Sequence, residues 1–432
     1  MSVDRAPVRL RDIVAPPVAG FWGEEKRSLA APVVAHVIRN GDIPEDRRVR
    51  LEDLPLRWFS RREIAKAEVS QNDSFVVSSG YIGKSGRLPS SRRDHPVVAS
   101  NFVRVLKALP GIDPGWLYHL LDSHSVRLAM HRNAGGSTIV NLSSGYLDEV
   151  LDVPGLPSLP AQVRIAKILD TIDDAIRGTE QVIAKLRQTK QGLLQDLLTL
   201  GIDERGELRD AERRPEQFVD SPLGPLPREW SVTPLGELVT LQGGFAFSST
   251  VFGRGPIPVI RMSNLRGGAL HTTDAARVAT SFLRTHSDFA LRSGDLLIGM
   301  SGSLDNTAIV EETHLPLLLN QRVGRFVLLN PDRLRYRLLD LYLASSFYAR
   351  QVWQEAVGAA QLNISSRQVE ATIVPLPPLR EQDAILDRWT ALAVRFRAES
   401  DSLLKLRTLR LGLMDDLLTG RVPVPVPDQV AT

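Results

Sequence analysis

The 432-residue chain contains no cysteine, which excludes disulfides, thiolate metal sites and cysteine nucleophiles and suits a reducing cytoplasm. No apolar run approaches the length of a membrane span. Met1 to Val14 carries charges throughout and has no apolar core, so no secretory signal is expected and the cytoplasm is the expected compartment. Charge of one sign is also missing: 53 Lys and Arg face 50 Asp and Glu, a net charge of +3. That balance is far from the cationic excess of a histone-like binder, so composition alone names no partner.

The usual catalytic signatures are absent as well. Ser78-Ser-Gly-Tyr-Ile-Gly-Lys-Ser85 ends like a phosphate loop but has serine where the leading glycine belongs, so a turn is expected there. Asp113-Pro-Gly-Trp116 and Asn330-Pro-Asp-Arg333 lack the second proline of an amino-methyltransferase turn and read as ordinary turns. Glu24-Glu-Lys26 has the spacing of a nuclease triplet but reads as a solvated surface. The eight histidines form no His-Glu-x-x-His pattern, and His119 and His124 are expected to pack or lie on the surface, leaving neither a catalytic nor a metal-binding residue to nominate.

What the chain does have is length for two or more domains, a globular composition of 43 % hydrophobic and 24 % charged residues, and an internal repeat. Residues 156–199 align without gaps onto 376–419, a shift of 220. Leu156, Pro157, Leu159, Gln162 and Ile165 recur as Leu376, Pro377, Leu379, Gln382 and Ile385. At the far end Lys185-Leu-Arg187 and Asp196-Leu-Leu-Thr199 recur as Lys405-Leu-Arg407 and Asp416-Leu-Leu-Thr419.

Each copy opens on a Leu/Pro stretch and continues with apolar residues at helical spacing, which predicts a helix of about 40 residues. Ile165, Ile172, Leu186 and Leu193 fall on a seven-residue register, as do Ile385, Leu392, Leu406 and Leu413, so the two helices are expected to pair as a coiled coil. The register is interrupted at Thr179 and at Glu399, equivalent positions where polar groups are expected to set the pairing. Such a helix is roughly 60 Å long and a domain of about 150 residues roughly 40 Å across. Antiparallel pairing needs the second domain only to return the chain near where it left, which places Thr199 close to Glu381.

Before each helix lie runs of β-prone residues separated by Ser, Gly and Asn: Phe75 to Val77, Val140 to Leu142, Val259 to Arg261, Asp295 to Ile298 and Arg325 to Leu329. Val76-Val-Ser-Ser-Gly80 faintly resembles Ile298-Gly-Met-Ser-Gly302, and Asn141-Leu-Ser-Ser144 resembles Asn363-Ile-Ser-Ser366. The expected fold class is α+β, with two globular domains alternating with two long helices.

At this point the chain resembles the type I restriction and modification specificity subunits across nearly its whole length. The family's helical entry is seen as Pro375-Leu-Pro-Pro-Leu379 with Glu381-Gln382, its exit as Leu417-Leu-Thr-Gly420, and the entry to its second domain as Ser221-Pro-Leu-Gly224 with Pro227 and Trp230. The first helical copy departs modestly, with Ser158 for the second proline, Ala161 for the glutamate and Leu200 before Gly201. The resemblance implies target-recognition domains at residues 1–155 and 230–375, conserved helical regions at 156–200 and 376–420, a linker at 201–229 and a tail at 421–432. It implies double-stranded DNA as partner, read as a bipartite target. Two methyltransferase subunits and, for cleavage, restriction subunits would hold S-adenosylmethionine, ATP and magnesium, with no cofactor in this chain.

Reading DNA calls for Arg or Lys on phosphates and guanine edges and for amide or hydroxyl side chains on other base edges. The first domain offers Arg57, Arg61 and Arg62 around Trp58-Phe59, then Lys84, Arg87, Arg92 and Arg93. In residues 230–375 all 13 basic residues are Arg, among them Arg254, Arg261 and Arg266, with Asn264 and Gln321 nearby. An adaptor whose coiled coil carries two domains for protein or another ligand is the alternative that composition leaves open.

Overall fold

In the computed structural model the repeated segments form two uninterrupted helices, Leu159–Thr199 and Leu379–Leu418. Pro160 lies in the first turn, where no N–H is needed. Each exit is followed by a glycine in the left-handed region, Gly201 at φ +66° and Gly420 at φ +75°, which ends the helix without a Cβ clash. The structure describes residues 7–89, 94–132, 141–142, 145–147, 152–253, 255–301, 306–355 and 364–425.

The chain divides into two compact units, Met1–Ile183 with Glu399–Thr432 and Ala184–Ala398, so each long helix is shared between units rather than forming a region of its own. In the first unit a four-stranded antiparallel sheet runs in the order Val18–Ala19, Val103–Leu106, Ser74–Val77, Ser85–Arg87. A three-stranded sheet places Val33–Ile38 between antiparallel Leu56–Phe59 and parallel Val97–Ala99. Helices Pro114–Asp122 and His124–Arg132 follow and bury Trp116, Leu117, Leu120 and Leu121 against Ile165, Ala166 and Leu169 of the first long helix. Met414, Leu417 and Leu418 of the second long helix join the same core.

The second unit repeats this plan strand for strand. Its four-stranded antiparallel sheet runs Val239–Gly243, Val323–Leu328, Leu296–Gly299, Thr307–Ile309. Its three-stranded sheet places Ile257–Ile260 between antiparallel Ala276–Val278 and parallel Leu318–Leu319. Helices Tyr336–Leu343 and Ser346–Glu355 then pack with Leu197 and Leu198 of the first long helix and Ile385 of the second. The faint likeness of Val76 to Ile298 is therefore an equivalence of position, since both lie in the third strand of the larger sheet. Arg261 caps the end of its strand instead of lying within it.

Within each unit the long helices run antiparallel. In the first, Arg410 meets Asp173 and Arg407 meets Glu180 at 2.7 Å; in the second, Ile385 shares a core with Leu193 and Leu197, and Lys190 lies over the Trp389 ring at 4.9 Å. Ile165, Leu186 and Ile385 are buried, and Ile172, Leu193, Leu392, Leu406 and Leu413 half-buried, as the seven-residue register requires. The register interruptions act differently from expectation. Thr179 donates its hydroxyl to Ala175 O of its own helix at 2.9 Å, and no side-chain hydrogen bond or ion pair of half-buried Glu399 is found among the described residues. The Arg–carboxylate pairs tie the helices across instead.

One repeated side chain joins each long helix to the short helix that follows the sheets. Gln162, 1 % exposed, accepts the Asp113 N–H at 2.8 Å and donates to Pro157 O at 2.9 Å; Gln382, 0 % exposed, accepts the Arg335 N–H at 2.7 Å and donates to Pro377 O and Arg333 O at 2.8 Å each. Asp113 and Arg335 are the N-caps of the helices that begin at Pro114 and Tyr336. Each glutamine thus satisfies an orphan donor of one helix and a carbonyl at the mouth of another.

Residues 201–229, read as a linker, are folded into the second unit. Phe218–Val219 pairs with Leu226–Pro227, and Ile202, Leu226 and Trp230 enter its core. Buried Glu381 accepts from Ile202 N at 2.8 Å, Trp230 Nε1 at 3.0 Å and both Arg209 nitrogens, which brings the end of one helix beside the start of the other as expected. Replacing Gln382 by alanine leaves the Arg335 N–H buried without a partner and is expected to cost about 1–3 kcal/mol; Gln162→Ala should do the same, and exposed Gln188→Ala should stay within about 0.5 kcal/mol. Urea unfolding of the three variants checks this, and equal midpoints would refute the lock.

Candidate nucleic-acid interface

Both three-stranded sheets end on the same tripeptide. Val37-Ile38-Arg39 and Val259-Ile260-Arg261 bury the two β-branched residues and leave arginine at the strand's carboxyl end. Three residues on, Asp42 accepts the Arg39 N–H at 2.8 Å and Asn264 the Arg261 N–H at 3.0 Å, closing the same turn. The N–H of Ser100 and that of Asn320 bond to Ile38 O and Ile260 O at 2.9 and 3.0 Å. Gly20 and Gly244 cross so close beneath that a Cβ would lie 1.7 Å from Ala99 O and 2.3 Å from Asn320 O.

These crossings gather three loops at one edge of each unit. In the first, Asn40 Nδ2 donates to Ser79 O at 3.3 Å and Ser78 N to Phe102 O at 2.9 Å. In the second, Met300 N donates to Arg322 O at 3.0 Å, the matching bond. Tyr81, Asn101 and Phe102 are exposed on the first edge, and Phe245, Gln321 and Arg322 on the second. Basic, amide and aromatic side chains converging on strand ends are the groups that contact phosphates and base edges.

The residues nominated from sequence divide among several places. Lys84 reaches the first edge, donating to Ile43 O at 3.3 Å with Tyr81 beneath it at 5.2 Å. Arg57 stands opposite Ala35 in mid-strand and pairs with Glu25 at 3.1 Å, and exposed Arg61 and Arg62 follow Phe59, which pairs with Val33 at the end of the strand away from Arg39. Arg261 and Gln321 share the second edge, while exposed Arg266 pairs with Asp274 at 3.0 Å in the neighbouring hairpin. Arg92, Arg93 and Arg254 lie outside the described residues.

Two nominations need correction. Arg87 is engaged by Asp170 and lies 4.3 Å from the Tyr118 ring. Asn264 is fully buried, with its oxygen on Arg261 N and its nitrogen on His271 O at 3.0 Å and Asp274 Oδ1 at 3.3 Å, so no edge of its amide remains for a base. Sequence reasoning passed over Arg39 and Asn101; the repeated Val-Ile-Arg, at a shift of 222, was the available signal for Arg39. The loop that ends like a phosphate cradle is, as expected, a turn: it joins Ser74–Val77 to Ser85–Arg87 in a hairpin, with Gly80 and Gly83 at positive φ.

Behind the first edge lies a buried ionic network. Asp122 pairs with Arg47 at 2.6 Å and Arg410 at 3.0 Å, Arg410 also holds Asp173, and the Arg47 guanidinium stands 3.9 Å from the Tyr118 ring. Burial lowers the His119 pKa, so its ring stays neutral and bonds Asp170 at 3.1 Å. Burial pushes the Asp170 carboxyl up, but hydrogen bonds from His119 and Arg87 outweigh it and hold the pKa at about 2. The ligand atoms of His119, Asp170 and Asp173 lie within 4.8 Å of one another, a spacing a cation can bridge; here guanidinium groups already meet both carboxylates.

Two copies of one α+β plan, each locked to its own copy of a repeated helix and each carrying a polar, aromatic edge, define a tandem-domain recognition protein. The family of the type I restriction modification DNA specificity domain matches residues 63–188 and 227–401, and the chain belongs to it. The specificity subunit of type I restriction enzyme MjaVIII from Methanocaldococcus jannaschii is 24 % identical over 366 residues, covering 82 % of this chain and 80 % of that one. The EcoBI specificity subunit of Escherichia coli is 23 % identical over 280 residues, 63 % of this chain and 57 % of that one. In fold the chain is similar to the S subunit of a type I system from M. genitalium, with a TM-score of 0.57, 15 % identity and coverage of 97 % and 96 % of the two chains.

Because the Asp170 carboxyl is held at about 2, below its ordinary 3.8, its contribution to stability is complete above about pH 4 and is lost as pH falls toward 2. The gap in unfolding free energy between the native chain and Asp170→Asn should be constant from pH 5 to 7 and narrow below pH 4. Urea titrations at stepped pH measure it; a gap that widens on acidification contradicts the assignment.

Proposed function

We propose that this chain is the DNA-specificity subunit of a type I restriction and modification complex, reading a bipartite target with one domain per half-site and carrying out no chemistry itself. The observation that carries this reading is the duplication: the same sheet order, the same glutamine lock and the same arginine-ended strand occur twice on two repeated helices, while the exposed side chains at the two edges differ. One frame with two different faces suits two different half-sequences.

The relatives are named as specificity subunits, a role that leaves catalysis to other chains. On that reading two methyltransferase subunits bind S-adenosylmethionine, and restriction subunits, where present, use ATP and magnesium. Neither group would reside in this chain. The compartment is that of the DNA, the cytoplasm; among the described residues no helix is long and apolar enough to cross a membrane.

Exchange of residues 230–375 for the corresponding domain of a relative is expected to change one half-site and leave the other untouched, as read by mapping methylated positions in DNA from cells expressing each version. Binding of the purified complex to its target should weaken steeply between 50 and 200 mM salt, by roughly 10³-fold if six or so phosphates are contacted. Half-sites that change together would refute one domain per half-site. Binding that ignores both sequence and salt would favour a protein-binding adaptor.

A further inference from the structure

Arg39 is the structural twin of Arg261, but its side chain is held differently. The Asp42 carboxylate accepts the Arg39 N–H at 2.8 Å and also grips the guanidinium, taking Nε at 2.9 Å and Nη2 at 2.7 Å. Asp42 is itself nearly buried, its side chain 10 % exposed, whereas the Arg39 side chain is 43 % exposed. In the second unit Asn264 closes the same turn but turns its amide nitrogen to His271 and Asp274, and Arg261 Nε is buried without a partner. Closing the turn therefore does not require a grip on the arginine.

A guanidinium has five N–H donors in a planar fork. With Asp42 on the Nε and Nη2 side, the other edge keeps one N–H of Nη2 and one of Nη1, parallel and pointing away from the carboxylate. That pair matches the O6 and N7 acceptors of guanine in the major groove. Clamping removes the rotamer freedom a long side chain otherwise loses on binding. Around it on the same edge stand Asn40, Lys84 and exposed Asn101 and Tyr81, the last 63 % exposed.

We propose that Arg39, oriented by Asp42, is a specificity-determining residue of the first domain and takes a guanine edge in the half-site that domain reads. This rests on the DNA-specificity reading above. Arg39→Lys keeps the charge but cannot form two parallel bonds; Arg39→Ala removes both; Asp42→Ala frees the arginine.

The test uses the full chain in complex with its methyltransferase subunits, first mapping the native target from methylated positions, then measuring binding to duplexes with each base pair changed in turn. Arg39→Lys and Arg39→Ala should each lose about tenfold or more in discrimination at one G·C pair of one half-site. Both should leave the other half-site unchanged and keep the native melting temperature within a few degrees. Asp42→Ala should relax the same position more weakly. Arg39→Ala weakening all duplexes equally while Arg39→Lys binds normally would make the residue a phosphate contact and overturn the proposal, as would unchanged discrimination in all three variants. A native complex with no sequence preference would overturn the DNA-specificity reading, a result separable from these because it needs no variant.

Discussion

The structure depends on a buried amide. Without Gln162 and Gln382 a carbonyl at the mouth of each long helix and the N-cap N–H of the neighbouring short helix would both lose their partner. The amide answers both at once, because one side chain carries an acceptor and two donors. A carboxylate could not donate and an ammonium could not accept, so neither could fill both roles. In each unit the lock ties the long helix to the short helix that follows the last strand of the larger sheet.

The duplicated frame is finished with different chemistry in its two copies. Arg410 in the first unit and Lys190 in the second occupy equivalent positions of the repeat, yet Arg410 meets Asp122 and Asp173 while Lys190 lies over Trp389 and Phe396. The reason lies in the partner helix, where Asp170 and Asp173 correspond to Thr390 and Ala393. With carboxylates at hand a planar guanidinium can bridge two of them; with aromatic faces instead, an ammonium on a flexible stem suffices. Asp340, at the position of Tyr118, is pushed up by burial, which outweighs the Thr307 hydroxyl and the Arg337 and Lys190 charges. Such unlike interiors mean that the two domains can vary independently over one scaffold.

Charge in this chain is mostly balanced locally, which is why a near-neutral total was uninformative about function. Many arginines that look like nucleic-acid ligands in a list are internal ties: Arg87 to Asp170, Arg209 to Glu381, Arg335 to Asp383 at 2.7 Å. The arginines that remain candidates are those at strand ends, where the backbone turn fixes the Cα and the guanidinium reaches outward. Position in the fold separates the two groups; residue type does not.

By itself the sequence determined the two helices, their length, their seven-residue register, their antiparallel sense and the family resemblance. Those features rest on local periodicity and on a gapless repeat, which a single chain displays directly. Only the tertiary structure decided that the two domains share one strand order, that residues 201–229 are folded, that Arg87 and Asn264 are engaged within the protein, and that Arg39 stands where Arg261 stands. Sheet order arises from pairing between residues far apart in the chain. Between the two copies the equivalences drift from a shift of 220 at Ser100 and Asn320 to 222 at Arg39 and Arg261 and 224 at Gly20 and Gly244. Over the stretch from Arg261 to Ile298, equal in length to that from Arg39 to Val76, the second copy also forms the Leu265–Arg266 and Ala269–Leu270 hairpin, which has no counterpart among the described strands of the first. A helix repeats in register because each turn is held by its own neighbours, whereas a sheet tolerates such changes in its loops and keeps its order through distant hydrogen bonds that no local pattern records.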